Sequence, residues 1–194
     1  MKYYAVKNGR KIGIFETWDE CKAQVEGFSG AEYKSFTKKE DAQRFIGGGY
    51  EQMNLFGTVA YVDGSYNIET CEFSYGAVIF ADGEPLTFSE KFNDPELATM
   101  RNVAGEIKGA EFVMRYCLEN GIDSVDIYYD YEGIAAWAEG RWKTNKHGTI
   151  AYKEFYDSIK GQLSVKFNKV KGHSGDTYND MADRLAKDAL GIKQ

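Results

Sequence analysis

Short apolar runs and helix-start signals alternate along the first 46 residues. Three apolar runs predict strands, at residues 2–6, 12–15 and 32–36. The first two flank the turn KNGRK, whose Asn-Gly pair is a strong hairpin signal. Two helices follow Thr-x-x-Glu capping boxes and end before a glycine; the boxes are residues 17–20 and 37–40. The pattern predicts a small ββαβα module.

The segment GGGYEQMNLFG after this module opens on three glycines and has no hydrophobic period. A segment of this kind is typical of a short flexible linker. We therefore expect a first domain at 1–47, a linker at 48–56 and a second domain at 57–194.

In the second domain, the pattern predicts three strands, a helix, a strand, helices, a strand and a final helix. The first strand is expected to end at Asp63 before a Gly-Ser turn, and a later one ends at Asp130. The long helix has one apolar face, made of Ile107, Ala110, Met114 and Cys117. The last helix has a predicted apolar stripe of Met181, Leu185 and Ala189. This order indicates an α/β (α+β) fold, a mixed sheet with helices on its faces.

Composition narrows the class of protein. The 194 residues are 43% hydrophobic, so a packed core is expected. The net charge of −6 is unevenly distributed along the chain. Residues 1–48 carry nine Lys and Arg against seven Asp and Glu, while the rest of the chain is acidic. No signal peptide or 18-residue apolar run is visible, and the three cysteines fit neither a disulfide framework nor a metal-ligand spacing. We expect a cytoplasmic monomer with reduced thiols and no membrane partner.

Four carboxylates stand at informative places in the pattern: Asp63, Glu106, Asp130 and Asp183. Each has an ordinary interpretation by itself. Asp63 and Asp130 could form turns after strands, and Glu106 in a first turn could interact favourably with the helix dipole. Asp183 could be a solvated helix residue. Together they can meet at one edge of the sheet, where their mutual repulsion requires cations. Oxygen ligands suit Mg²⁺, and two such ions support phosphodiester hydrolysis.

One histidine, His173, lies on the glycine-flanked turn GHSG, ten residues before Asp183. A lone histidine on a loop is more often uninvolved in chemistry. In the context of a metal site it could instead shuttle a proton or assist product release.

The blocks YVDGS, RNVAGEIKGAE, IYYD and VKGHSGDTYNDMADRLAK occur in this order, and residues 57–194 resemble type 1 ribonuclease H. The first 46 residues resemble the hybrid-binding domain that precedes some of these enzymes. The resemblance implies a ribonuclease H-like fold and an endoribonuclease that cuts the RNA strand of an RNA–DNA hybrid, leaving a 3′-hydroxyl and a 5′-phosphate. It implies that the metal ligands for two Mg²⁺ ions, with Mn²⁺ as a substitute, are Asp63, Glu106, Asp130 and Asp183, and that His173 is the catalytic loop histidine.

The resemblance also implies contacts to nucleic acid. In the second domain these are Arg101, Asn102 and Asn179; in the first they are Tyr4, Lys11, Trp18, Tyr33 and Lys34. For Trp18 the alternative is that it covers a small core while the lysines are solvated. Ser35, where the family often has lysine, and Arg101, where relatives often have a small hydroxyl residue, depart from the pattern.

Further alternatives remain on the sequence. Gly105 and Gly109 share a helix stripe that either lies close to a nucleic-acid groove or packs against the sheet. The segment WAEGRWKTNKHG keeps Trp137, Trp142, Lys143 and Lys146 as a short basic handle. A DNA-directed nuclease and a non-catalytic hybrid-binding protein are the competing functions. The hybrid-binding module opposes the first, and the complete carboxylate set opposes the second.

Overall fold

The computed structural model describes residues 2–46, 57–81, 85–170 and 176–192. The chain divides into two compact units, Met1–Leu55 and Phe56–Gln194. The predicted linker and His173 fall outside the described residues, so the expectations placed on them stay predictions.

The first unit is the predicted ββαβα module. Its elements are β1 (Tyr3–Asn8), β2 (Gly13–Phe15), α1 (Trp18–Val25), β3 (Glu32–Phe36) and α2 (Lys39–Phe45). The strands form an antiparallel sheet in the order β2-β1-β3. The predicted capping box is present, since the Glu20 amide donates to the Thr17 hydroxyl while the Glu20 carboxylate accepts from the Thr17 amide. The side chain of Glu40, on which the second box depends, lies outside the described part.

The second unit is built on a five-stranded mixed sheet. Its strands are β4 (Thr58–Asn67), β5 (Glu72–Phe80), β6 (Leu86–Phe92), β7 (Ser124–Tyr129) and β8 (Ser164–Lys169). The order is β6-β5-β4-β7-β8, in which β4, β5 and β6 are antiparallel while β4, β7 and β8 are parallel. This confirms the predicted mixed α/β sheet.

Two long helices cover opposite faces of this sheet. The helices of the unit are α3 (Asn102–Glu119), α4 (Gly133–Ala138), α5 (His147–Ile159) and α6 (Thr177–Ala189). A Cβ atom on Gly64 of β4 would collide with α3, whereas one on Gly76 of β5 would collide with α6. Gly76 pairs with Asp63, the neighbour of Gly64, and successive strand residues point to opposite faces. Among the described helices, none is long and apolar enough to span a membrane.

The glycines of α3 pack against the sheet. A Cβ atom on Gly105 would overlap the carbonyl oxygen of Ser74, and one on Gly109 would lie 3.2 Å from Cβ of Tyr75. Of the two interpretations of this stripe, the structure supports close packing on β4 and β5. The predicted apolar face of α3 is confirmed, since Ile107, Ala110, Met114 and Cys117 are all buried.

Two predictions in this unit were wrong. The first strand does not end at Asp63, because β4 continues to Asn67 with Gly64 and Ser65 paired to β5. Gly64 is required by the approach of α3 rather than by a turn. The fully buried residues of α6 are Tyr178, Asn179, Ala182 and Ala186, one position on from the predicted stripe, whose Met181, Leu185 and Ala189 are only partly buried.

Candidate active site

Asp63 and Asp130 lie just beyond the point where the pairing of β4 with β7 ends. The parallel pairing of β4 with β7 ends at Tyr61 and Tyr128. Asp63 and Asp130 each lie two residues beyond this last pair, Asp63 within β4 and Asp130 just after β7. Because the strands are parallel, both side chains arrive at the same edge of the sheet. The predicted convergence of these aspartates is thus a product of strand register.

Glu106 reaches the same place from α3. It lies in the second turn of the helix, not in the first as the sequence suggested, so a dipole interaction does not explain it. The side chain is 1% exposed, and its Oε2 atom is buried with no hydrogen-bond partner among the described residues. Carboxylate oxygens of Asp63, Glu106 and Asp130 all lie within 4.8 Å of one another.

The electrostatics of this cluster disfavour three negative charges. Burial, followed by repulsion from Asp130, raises the pKa of Asp63 to about 7, although the Gly64 amide donates to its Oδ1 at 2.7 Å. Burial first, then Asp130 and Asp63, raises the pKa of Glu106 well above its usual value. A buried orphan oxygen within an all-oxygen donor set fits a hard divalent cation such as Mg²⁺.

These shifts predict how stability depends on pH without metal. In the unfolded chain Asp63 loses its proton near pH 4, but in the folded protein only near pH 7, so stability should fall between these values. Asp63→Asn removes this titration, and at pH 8 in EDTA it should be more stable than the wild type by on the order of 3 kcal/mol. Urea unfolding at pH 5 and pH 8, with Asp126→Asn as a surface control, measures this. An equal loss of stability in all three proteins would contradict it.

Asp183 lies in the same cleft but outside the close triad. The cleft, of about 360 Å³, is lined by Asp63, Asp130 and Asp183, and its wall also contains Ser65, Tyr66, Arg101, Asn102 and Lys187. Asp183 Oδ2 accepts a hydrogen bond from the Lys187 ammonium at 2.6 Å. The structure therefore brings three predicted ligands together and places the fourth beside them, held by a lysine that the sequence analysis missed. Its i,i+4 spacing from Asp183 was the available signal.

A second pocket adjoins this cleft and shares Arg101 and Asn102 with it. It has a volume of about 380 Å³, and its wall includes Tyr131, Trp137, Lys143, Asn145 and Lys146. Arg101 precedes α3 in a left-handed conformation, with φ of 55°, that few residues with a side chain adopt. The predicted basic handle thus lies beside the carboxylate cleft, with Trp142 exposed and packed on Trp137.

In the first unit three aromatic rings form an exposed cluster. Trp18 is 42% exposed, and its ring centroid lies 5.7 Å from that of Tyr4 and 5.8 Å from that of Tyr33. The buried cluster of this unit contains Val6, Cys21 and Val25, and Trp18 is neither in this cluster nor among the partly buried residues packed on it. The alternative that Trp18 covers the core is therefore not supported. Lys11 and Lys34 are exposed, as a contact to phosphate would require.

One residue predicted to contact nucleic acid, Asn179, is only 2% exposed in this structure, and its role stays a prediction. It lies on the buried face of α6, where its Oδ1 has no hydrogen-bond partner among the described residues.

Comparison with known proteins agrees with the two units. A family model described as the Ribonuclease H1 N-terminal domain matches residues 2–46, and the RNase H model matches residues 57–191. Ribonuclease H1 of Homo sapiens is 24% identical over 259 aligned residues, covering 99% of this chain and 90% of the human protein. Ribonuclease H of Saccharomyces cerevisiae is 25% identical over 193 residues, covering 98% of this chain and 49% of the yeast protein.

Solved structures share the fold of the second unit. RNase H1 of Halobacterium salinarum has a TM-score of 0.58 and 18% identity, covering 70% of this chain and 98% of its own. LC11-RNase H1, solved in complex with an RNA/DNA hybrid, has a TM-score of 0.54 and 16% identity. The match covers 69% of this chain and 99% of the LC11-RNase H1 chain. The RNase H family model spans well over half of the chain and includes the four carboxylates. The chain belongs to the RNase H family of ribonucleases.

Proposed function

We propose that this protein hydrolyses the RNA strand of RNA–DNA hybrids at the cleft lined by Asp63, Asp130 and Asp183, with Glu106 buried beside it. The observation that carries the proposal is the triad of carboxylates within 4.8 Å, which includes a buried oxygen without a partner among the described residues. A solved relative of the same fold is bound to an RNA/DNA hybrid, which supports the choice of substrate.

The four carboxylates would hold divalent cations, two Mg²⁺ ions in this proposal, with Mn²⁺ as a substitute. Bound ions would supply a water nucleophile at neutral pH and neutralise charge on the phosphate, leaving a 3′-hydroxyl and a 5′-phosphate. Glu106 is held rigidly by burial in α3, whereas Asp63 and Asp130 are fixed by the strands. His173 is proposed to move a proton near the leaving group.

Selectivity for the hybrid is proposed to come from residues around the metal ligands and from the first unit. Asn102, which lines the cleft, would read sugar edges, where the 2′-hydroxyl distinguishes RNA from DNA. Arg101 would bind a phosphate. The cluster of Tyr4, Trp18 and Tyr33 would pack on the other strand. A monomeric, cytoplasmic enzyme stays a prediction.

Substrate selectivity is tested with four labelled substrates of the same sequence: an RNA–DNA hybrid, an RNA duplex, a DNA duplex and single-stranded RNA. In the hybrid, each strand is labelled in turn. We expect the wild-type protein to cut only the RNA strand of the hybrid, and only with Mg²⁺ or Mn²⁺ rather than EDTA. Cleavage of the DNA duplex would favour a DNA-directed nuclease. Binding of the hybrid without cleavage in either metal would favour a binding protein.

Trp18→Ala should weaken binding of the hybrid by about tenfold, since stacking on an aromatic ring contributes about 1–3 kcal/mol. Trp18 is the central ring of its cluster, in contact with both tyrosines, so its loss removes the middle of the stacking surface. Fluorescence anisotropy of a labelled hybrid in EDTA measures the affinity. Ile12→Ala, at an exposed residue of the same unit, is the matched control. Equal affinities of the two variants would show that the cluster does not bind the hybrid.

A further inference from the structure

Lys187 is the feature of the cleft that the carboxylate chemistry leaves unexplained. Its ammonium lies 2.6 Å from Oδ2 of Asp183, and the side chains of Lys187 and Asp183 are 30% and 19% exposed. Both residues line the cleft that contains Asp63 and Asp130. In the described wall of this cleft, the only other positive side chain is that of Arg101.

The backbone that carries this ion pair is held firmly against the sheet. The hydroxyl of Ser74 donates to the carbonyl oxygen of Ala186 at 2.6 Å, next to Lys187. Gly76 lies so close to α6 that a Cβ atom there would overlap the carbonyl oxygen of Ala182, next to Asp183. These two contacts fix the backbone of α6 beside Asp183 and Lys187. The ion pair can therefore separate only by rotation of the two side chains.

The charge of Lys187 is felt beyond Asp183. It favours the ionised form of Asp63, and so opposes the repulsion that Asp130 and Asp183 exert on that residue. The ammonium therefore performs part of the neutralisation that a divalent cation would perform among these carboxylates. A cation that binds Asp183 through Oδ2 must compete with Lys187 for that oxygen, and one that binds through Oδ1 would meet the repulsion of the same ammonium.

We propose that Lys187 is a positioning residue that acts through Asp183, as an internal counter-ion that a divalent cation must displace. The inference rests on the proposed function, since it takes the carboxylate cleft to be a metal site. Lys187 weakens metal binding at Asp183 and thereby sets the metal concentration that the enzyme needs. It also keeps Asp183 from repelling the triad when no metal is bound.

The test is titration of Mn²⁺ into the full-length protein without substrate, followed by calorimetry or by the electron paramagnetic resonance signal of free Mn²⁺. Removing one charge this close to a ligand should make Lys187→Met bind Mn²⁺ about tenfold more tightly. Lys187→Arg, which keeps the charge, should retain the wild-type affinity. The Mg²⁺ concentration for half-maximal cleavage should fall in Lys187→Met by a similar factor.

Lys153→Met is the matched control. Lys153 forms an ion pair with Asp157 at 2.7 Å, also between residues four apart on a helix, and its side chain is 27% exposed. This variant should lose the helix pair without any change in Mn²⁺ affinity. A Lys187→Met protein that binds Mn²⁺ no more tightly than the wild type would overturn the inference and leave Lys187 a structural partner of Asp183.

Failure of the proposed function gives a different result. If Mn²⁺ does not bind to the wild-type protein, or binds equally to the wild type and to Asp130→Asn, then the carboxylate cleft is not a metal site and both proposals fall. If the wild type binds Mn²⁺ through Asp130 and cuts the hybrid, the comparison between Lys187→Met and Lys187→Arg decides on Lys187 alone.

Discussion

Replacing Asp130 by asparagine should reduce hybrid cleavage by at least about 10³-fold, because a neutral amide cannot replace a carboxylate that anchors catalytic cations. Asp130 belongs to the triad whose oxygens lie within 4.8 Å, so its loss removes one side of the site. Hybrid binding should persist, since one negative charge fewer faces the phosphates. Single-turnover cleavage of a labelled hybrid with saturating Mg²⁺, together with anisotropy in EDTA, measures both quantities.

Asp126→Asn is the control on the same strand. Asp126 lies on β7 and forms an ion pair with Lys166 at 3.0 Å on the surface. It should cleave at the wild-type rate, because exposed ion pairs contribute little. If Asp130→Asn kept more than a tenth of the wild-type rate, or if both variants lost activity equally, the assignment of Asp130 as a ligand would be wrong.

Gly105→Ala should destabilise the second unit by about 3 kcal/mol or more, since the added methyl group meets backbone that cannot move aside. It would overlap the carbonyl oxygen of Ser74 and lie 3.0 Å from Cα of Gly64. α3 would be pushed off the sheet, and Glu106, the next residue, would leave the triad. We expect a fall in Tm of about 10 °C and a loss of cleavage. Thermal unfolding followed by circular dichroism measures the first effect.

Gly161→Ala separates this packing effect from a general effect of replacing glycine. A Cβ atom on Gly161 would meet no heavy atom within 4 Å, and its φ lies outside the left-handed range. Its stability should stay within about 0.5 kcal/mol of the wild type. Comparable destabilisation by both substitutions would mean that the close contact between α3 and β5 is not what Gly105 provides.

The order of elements could be predicted from the sequence because the hydrophobic period changes clearly at each boundary. Apart from the end of β4, the strands were found where expected, as was the helix with Ile107, Ala110 and Met114 on one face. The meeting of Asp63 and Asp130 could also be predicted, since both follow apolar strand residues. Their exact relation, two residues past the last pair of parallel strands, depends on register, which a single sequence does not reveal.

The errors share one physical cause, the close approach of backbone to backbone. Gly64 resembles a turn residue in the sequence but lies inside β4, where the neighbouring helix needs its space. Ala182 and Ala186 of α6 are fully buried whereas Met181 and Leu185 are only partly buried, because the backbone of the helix lies close to Gly76 of β5. Local hydrophobicity does not report such contacts, whereas the ion pair of Lys187 had a local signal in its i,i+4 spacing from Asp183.

Ser74 contacts both helices that bring carboxylates to the cleft. Its carbonyl oxygen faces Gly105, beside Glu106, and its hydroxyl holds the carbonyl of Ala186 on α6, three residues after Asp183. The separation of the two helices is therefore set by the thickness of a single strand at this one residue. Neither contact leaves room for a larger side chain. In evolution, a bulkier residue on either helix would therefore be accepted only with a compensating change on the other side of the strand.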